Sequence, residues 1–157
     1  MRKKDQEITD FNEIKKILSE GLICRLALSV DNLPYIVPMN YGVEFTNPIT
    51  LYFHCAPEGR KIEMLRANNQ VCFEIEVDTK VVKAKEACDW SMQYKSLIGY
   101  GRIEIITGGD EMLHGLGILM KHYAGEGEFS YKPNMLHRML ILKLMVENIS
   151  GKSHTTL

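Results

Sequence analysis

The chain has 157 residues, of which 45 % are hydrophobic and 25 % charged, with a formal net charge of −1. That length suits a single domain, 1–157, with one sizeable core and no room for a second. The near-neutral balance removes the electrostatic footprint of a nucleic-acid or anionic-membrane partner, and no apolar run approaches the roughly 18 residues of a membrane span.

The segment Met1 to Asp10 is charged and lacks the apolar centre of a signal peptide, which points to the cytoplasm. Cys24, Cys55, Cys72 and Cys88 show no C-x-x-C spacing, so neither a zinc site nor a redox dithiol is expected. The first three lie in apolar strand-like runs and read as buried, reduced thiols.

Asp10-Phe11-Asn12-Glu13 has the form of a capping box, with Asp10 capping and Glu13 reaching back. Phe11, Ile14, Ile17 and Leu18 follow at helical spacing, and Gly21 ends the helix. Leu22 to Val30 reads as a strand, Asp31-Asn32 as a tight turn, and Leu33 to Val43 as the returning strand. Pro34 and Pro38 remove two ladder donors, so this strand belongs at an edge and should be interrupted near Pro38. Thr46-Asn47-Pro48 turns the chain into a strand from Ile49 to Ala56, and a short helix follows from Arg60 to about Ala67.

Gln70 to Val77 and Lys80 to Glu86 read as a strand pair joined at Asp78-Thr79. Cys88-Asp89-Trp90 is a loop whose exposed Trp suits an interface. Tyr94 to Thr107 is a long strand, bent or bulged at Gly99 and Gly101. Asp110 caps a helix to about Tyr123 with an apolar stripe of Leu113, Leu116 and Met120. Ala124 to Asn134 is a loop, and Met139 to Ile149 the last strand. Consecutive antiparallel pairs with peripheral helices imply a mainly β protein built as a small barrel of about six strands. With no βαβ alternation, and with Gly99-Tyr100-Gly101-Arg102 inside a strand, a dinucleotide fingerprint is absent.

The stretch carrying most chemistry is Tyr52-Phe53-His54-Cys55-Ala56-Pro57-Glu58-Gly59-Arg60-Lys61. It delivers an imidazole at a strand end and two cations at a helix start, where free N–H groups favour an anion such as a phosphate. Arg60 can add a bidentate contact and Lys61 a point charge. Alternation puts Tyr52 and His54 on one face and Phe53 and Cys55 on the other, which rules out a local Cys–His nucleophilic pair. His54 is either a packed strand-end histidine or a functional one, and Arg60-Lys61 either a solvated helix face or an anion grip. Cations in a first helical turn are unfavourable without an anion, by a few tenths of a kcal/mol. Ser96 is a strand hydroxyl or a phosphate ligand. His114 and His122 lack the i, i+4 spacing of a metal clip, so no metal site is expected.

In order along the chain, five motifs resemble the flavin-binding split-barrel family related to pyridoxamine 5′-phosphate oxidase, and best of all its nitroimidazole-resistance branch. They are Arg2-Lys3-Lys4-Asp5 with Glu7-Ile8, Pro34 to Gly42, Tyr52 to Lys61, Tyr94 to Gly101 and Ile149 to Lys152. The resemblance implies a six-stranded antiparallel split barrel with peripheral helices. It also implies a homodimer holding flavin mononucleotide (FMN) between two barrels. Arg60 and Lys61 would grip the phosphate, joined by Ser96, often supplied by the partner chain. The backbone of Val37, Pro38, Met39 and Asn40 would run along the flavin ring, with His54 near ring and substrate and Lys152 reaching the cofactor from the C-terminal end.

The function implied is an FMN-dependent reductase of nitro-aromatic acceptors, in which His54 orients the substrate or donates a proton. The flavin supplies the chemistry and the protein the positioning. A nicotinamide nucleotide could only dock transiently as donor. A non-enzymatic flavin-binding or flavin-sequestering module is the alternative, with haem binding a further one. Pyridoxamine phosphate oxidation is disfavoured, because no second basic cluster lies near the C-terminus.

Overall fold

The computed structural model of the protein describes residues 4–154. In chain order the elements are β1 (Glu7–Ile8), α1 (Phe11–Glu20), β2 (Cys24–Val30), β3 (Leu33–Met39), β4 (Gly42–Glu44), β5 (Thr50–Cys55), α2 (Arg60–Ala67), β6 (Gln70–Val82), β7 (Ser91–Ile106), α3 (Gly109–Ala124), α4 (Pro133–Leu136) and β8 (Leu140–His154). Eight strands, rather than the six or so expected, form one antiparallel sheet in the order β3-β2-β6-β7-β8-β5-β4, with β1 pairing β8. The expected class stands: a mainly β split barrel with peripheral helices. No helix among the described residues is long and apolar enough to cross a membrane.

The two ends of this sheet, β3 and β4, are consecutive in sequence and separated only by Asn40 and Tyr41. The sheet must therefore curl until its edges meet, and a covalent link closes it instead of a hydrogen-bonded ladder. The strand interruption expected near Pro38 is this link. Asp31 and Asn32 both adopt positive φ, of 52° and 62°, as a two-residue type I′ hairpin turn requires. Such a turn is closed by the hydrogen-bonded pair Val30–Leu33, and bonded and non-bonded pairs alternate from there along the β2–β3 register. Pro34 and Pro38 then fall on non-bonded positions, where a missing N–H costs the ladder nothing. They share the free edge with Ile36, which leaves that edge with three carbonyls and one N–H.

Inward residues of the strands join Ile14, Ile17 and Leu18 of α1 and Ile62, Met64 and Leu65 of α2 in the main core. Helix α1 leads into the Cys24 end of β2, while Asn68, just after α2, donates to the Ser29 carbonyl near its other end. The two helices thus plug opposite ends of the barrel. Helix α3 lies outside it and covers Tyr52, Ile106 and Ile141 with Met112, Leu116 and Leu119.

Several local expectations are corrected. Asp10 caps α1 by accepting from the Asn12 N–H at 2.9 Å, but Glu13 does not reach back; its carboxylate pairs with Lys95 at 2.8 Å. Residues 70–82 form one strand, not a hairpin: Asp78-Thr79 is a β-bulge, with Asp78 at φ 57° and the register with β7 slipping by one residue. Gly108, not Asp110, precedes the first turn of α3. The buried face of α3 runs through Met112, Leu116 and Leu119, while Leu113 and Met120 are exposed. Cys24 and Cys55 are buried as expected, whereas Cys72 is only half-buried.

The bulge expected at Gly99 and Gly101 appears as a register shift between β7 and β8. These glycines serve close approach as well as bending. A Cβ at Gly101 would lie 2.1 Å from the Met145 carbonyl oxygen, and one at Gly99 2.3 Å from the Phe73 ring. At Gly117, inside α3, a Cβ would meet nothing within 4 Å. Gly101→Ala should therefore destabilise the protein by about 2–3 kcal/mol through forced backbone displacement. Gly117→Ala should stabilise it by about 0.5–1 kcal/mol through helix propensity. Urea midpoints for the two variants check both signs.

Candidate functional site

On β5 the side chains of Leu51, Phe53 and Cys55 enter the barrel, and Tyr52 and His54 face outward. Tyr52 is covered by α3, but His54 lies exposed beside Ile141, its register partner on β8. The β4–β5 register pairs Gly42 with Tyr52. Continued by two residues, it sets His54 level with Asn40. Further along, the Arg60 guanidinium lies 4.6 Å from the centroid of the Tyr35 ring on β3. The free edge of β3 and residues 54–60 therefore flank one seam, with no ladder between them.

At the Arg60 end of this seam the chain offers an anion a direct approach to the backbone. Gly59 precedes α2 at φ 116°, with no side-chain cap and with open space where a Cβ would be. The first N–H groups of α2 thus keep the outward orientation that favours negative charge. Arg60 is exposed and Lys61 half-buried. Lys61 also lies near enough to Cys55 to oppose, in part, the upward push that burial gives that thiol.

The seam brings together Val37, Pro38, Met39, Asn40, His54, Arg60 and Lys61. Within them, Val37 and Met39 point into the barrel and Pro38 and Asn40 outward, so it is backbone that β3 presents at the edge. Ser96 and Lys152 are not part of this seam. They are register partners on β7 and β8 and line, with Glu7 and Ser150, a separate cavity of about 300 Å³. Strand β7 lies three positions from β3 in the sheet, about 14 Å at the usual strand spacing. Around Ser96, the same outward face of β7 carries Met92, Ile98 and Tyr100, all 44 % exposed or more.

Two features near the seam have no local sequence signal. Tyr35 meets Arg60 from 25 residues away. Glu44 accepts hydrogen bonds from the Tyr52 hydroxyl at 3.1 Å and pairs with His114 Nε2 at 3.0 Å, 70 residues distant. Burial, then the Glu44 carboxylate, pushes the Tyr52 phenol well above its ordinary range, so it stays a neutral donor.

A family model described as pyridoxamine 5′-phosphate oxidase matches residues 10–153. The chain belongs to the pyridoxamine 5′-phosphate oxidase family. One similar solved structure, from Bacteroides thetaiotaomicron, is described as a candidate 5-nitroimidazole antibiotic resistance protein. It is 36 % identical, with a TM-score of 0.80 over 93 % of this chain and 85 % of that one. The flavocytochrome Anf3 of Azotobacter vinelandii is 17 % identical, with a TM-score of 0.81 over 96 % of this chain and 70 % of that one. An FAD and heme binding protein of Mycobacterium smegmatis is 20 % identical, with a TM-score of 0.82 over 96 % and 74 %. The last two share the fold. No curated protein matches the chain.

The cysteines give a direct check on the faces of this site. Cys24 and Cys55 are buried and burial raises both thiols, Cys24 the more strongly, whereas Cys88 is exposed. Iodoacetamide at pH 8 should alkylate Cys88 first, with Cys24 and Cys55 protected until the protein is unfolded. Peptide mass spectrometry over a time course reads the order, and early labelling of Cys55 would contradict its inward placement.

Proposed function

We propose that the protein is a cytoplasmic, single-domain flavoprotein that binds FMN along the β3 seam as a homodimer and reduces nitro-aromatic, 5-nitroimidazole-like acceptors. The observation carrying this reading is the open, uncapped start of α2, with Arg60 and Lys61 beside it, at one end of a seam whose other end holds His54. Membership of the pyridoxamine 5′-phosphate oxidase family supports a flavin there, and the 36 % identical Bacteroides protein supports the acceptor class. The residues suit the group. An exposed guanidinium, an ammonium and free helix amides match a phosphate. The free edge of β3 offers a flat ring one backbone donor, the Ile36 N–H, and carbonyl acceptors for a ring N–H.

Bound flavin supplies hydride transfer to an electron-poor acceptor. In this arrangement Arg60, Lys61 and the first α2 amides hold the phosphate. The backbone of Val37, Pro38, Met39 and Asn40 would hold the ring. Ser96 and Lys152 would come from a second copy, because within one chain they are remote from the seam. The apolar outward face of β7 favours that arrangement, since exposed apolar stripes mark association surfaces. His54 orients the acceptor or moves a proton at a ring nitrogen. A nicotinamide nucleotide would dock only transiently as donor.

FMN should bind at least tenfold more tightly than riboflavin. Arg60→Ala should lose a charge-assisted contact worth on the order of 1.5–3 kcal/mol, again tenfold or more in affinity. Fluorescence titration of the apoprotein measures both, and unchanged affinity in Arg60→Ala and Lys61→Ala alike would remove the assignment. Sedimentation of the holoprotein should give twice the chain mass.

His54→Ala should keep flavin bound and slow nitro-substrate turnover per flavin by about 10²–10⁴-fold, the usual worth of a general acid–base group. Unchanged turnover per flavin with a lower melting temperature would make His54 a packing residue and favour flavin sequestration over catalysis.

A further inference from the structure

We propose that Tyr35 is a positioning residue for phosphate recognition, its ring holding the Arg60 guanidinium at the start of α2 with the N–H groups left free. The inference rests on the flavin-phosphate reading above and adds a residue to it. Two other arginines, Arg25 and Arg102, are committed to carboxylates, whereas Arg66 and Arg138 enter no ion pair among the described residues. Arg25 reaches Glu74 and Glu76 at 2.9 Å each, and Arg102 reaches Glu147 at 2.9 Å. Among the described residues Arg60 enters no ion pair. Its Cζ lies instead 4.6 Å from the Tyr35 ring centroid.

The two kinds of partner differ in what they leave available. A carboxylate takes up the in-plane N–H donors of a guanidinium, whereas an aromatic ring takes up its flat face. On Tyr35, Arg60 keeps the donor fork that a phosphate would accept. Tyr35 is the fixed member of the pair. It is half-buried, packs against the barrel core and lies opposite Leu28, which is 2 % exposed. Arg60 is exposed, so without the ring its long side chain would sample many rotamers and lose them again on binding. Tyr35 also stands on the strand assigned to the flavin ring. One contact therefore couples the two halves of the seam.

The test is titration of FMN and, separately, riboflavin into the apoprotein of wild type, Tyr35→Phe, Tyr35→Leu, Arg60→Ala and the Tyr35→Leu/Arg60→Ala double variant, with Tyr35→Met as a second non-aromatic replacement should Leu impair folding. Loss of a stack on an exposed cation should weaken FMN binding about three- to fivefold and leave riboflavin unchanged. Tyr35→Phe should stay within about twofold of wild type, since it keeps the ring. In the Arg60→Ala background the Tyr35 change should have no added effect. A parallel loss of FMN and riboflavin affinity would overturn the inference, as would a Phe variant as weak as Leu or a full Tyr35 effect without Arg60. A wild-type preference for FMN that survives Tyr35→Leu and Tyr35→Met removes this inference alone. A wild-type protein with equal affinity for the two flavins removes the phosphate reading as well.

Discussion

Much of this structure depends on how a sheet with two edges is made into a barrel. Its terminal strands, β3 and β4, are joined through Asn40 and Tyr41, and Tyr41 holds the closure in place from inside. Its ring is wholly buried, its hydroxyl donates to the Leu18 carbonyl at 2.8 Å, and its N–H donates to the Tyr123 hydroxyl at 3.0 Å. That second hydroxyl donates in turn to the Leu22 carbonyl at 2.7 Å, and His122 Nε2 meets the Gly21 carbonyl at 2.7 Å. The carbonyls at the end of α1 are thereby satisfied by side chains from β3–β4 and α3. Burial raises the Tyr41 phenol far above its ordinary range, which keeps it a neutral donor. Leaving such groups unpaired would cost on the order of 1–3 kcal/mol each, so the closure is a fixed joint.

A barrel closed this way keeps a strand edge that a complete ladder would use up. Edges of this kind are liabilities for association unless something manages them. On β3 the management is local: two prolines remove donors, and the strand is only seven residues long. What remains is an acceptor-rich line of backbone beside a helix start that carries two cations. The seam therefore has opposite character at its two ends. The Arg60 end is positive and built from N–H groups. The Asn40 end is uncharged, with an imidazole beside it.

Features carried by contiguous residues were legible in the sequence. The Asp10 cap, the Asp31-Asn32 turn, the alternation of Tyr52 and His54 against Phe53 and Cys55, and the start of α2 at Arg60 all depend on neighbours within a few positions. The edge placement of β3 was legible because proline has no N–H. Errors came where distant partners decide. Asp78-Thr79 has the composition of a turn, but β7 continues past it and both halves of β6 pair with that one strand. Helical spacing on α3 groups Leu113 and Met120 with the buried Leu116, because periodicity cannot say which apolar face meets Ile141 and Tyr52. In the site, the Tyr52–Lys61 run stood out as a unit. The contacts of Arg60 with Tyr35 and of Glu44 with His114 span 25 and 70 residues, and nothing in the local pattern marks them.

The position of β8 bears on how the chain comes to be folded at all. Of the eight strands β8 comes last in sequence, yet it is an interior strand, lying between β7 and β5 and also receiving β1. Until residues 140–154 leave the ribosome, the nascent chain can form only two sheet fragments, β3-β2-β6-β7 and β5-β4. Each then carries an open, apolar edge where β8 belongs. Barrel closure thus waits for β8 and is an event of high contact order, and the waiting edges are surfaces that a chaperone or another nascent copy would recognise. A stop codon that removed the C-terminal strand would do more than trim the protein. It would leave those two edges permanently unpaired and turn a folding delay into an aggregation hazard.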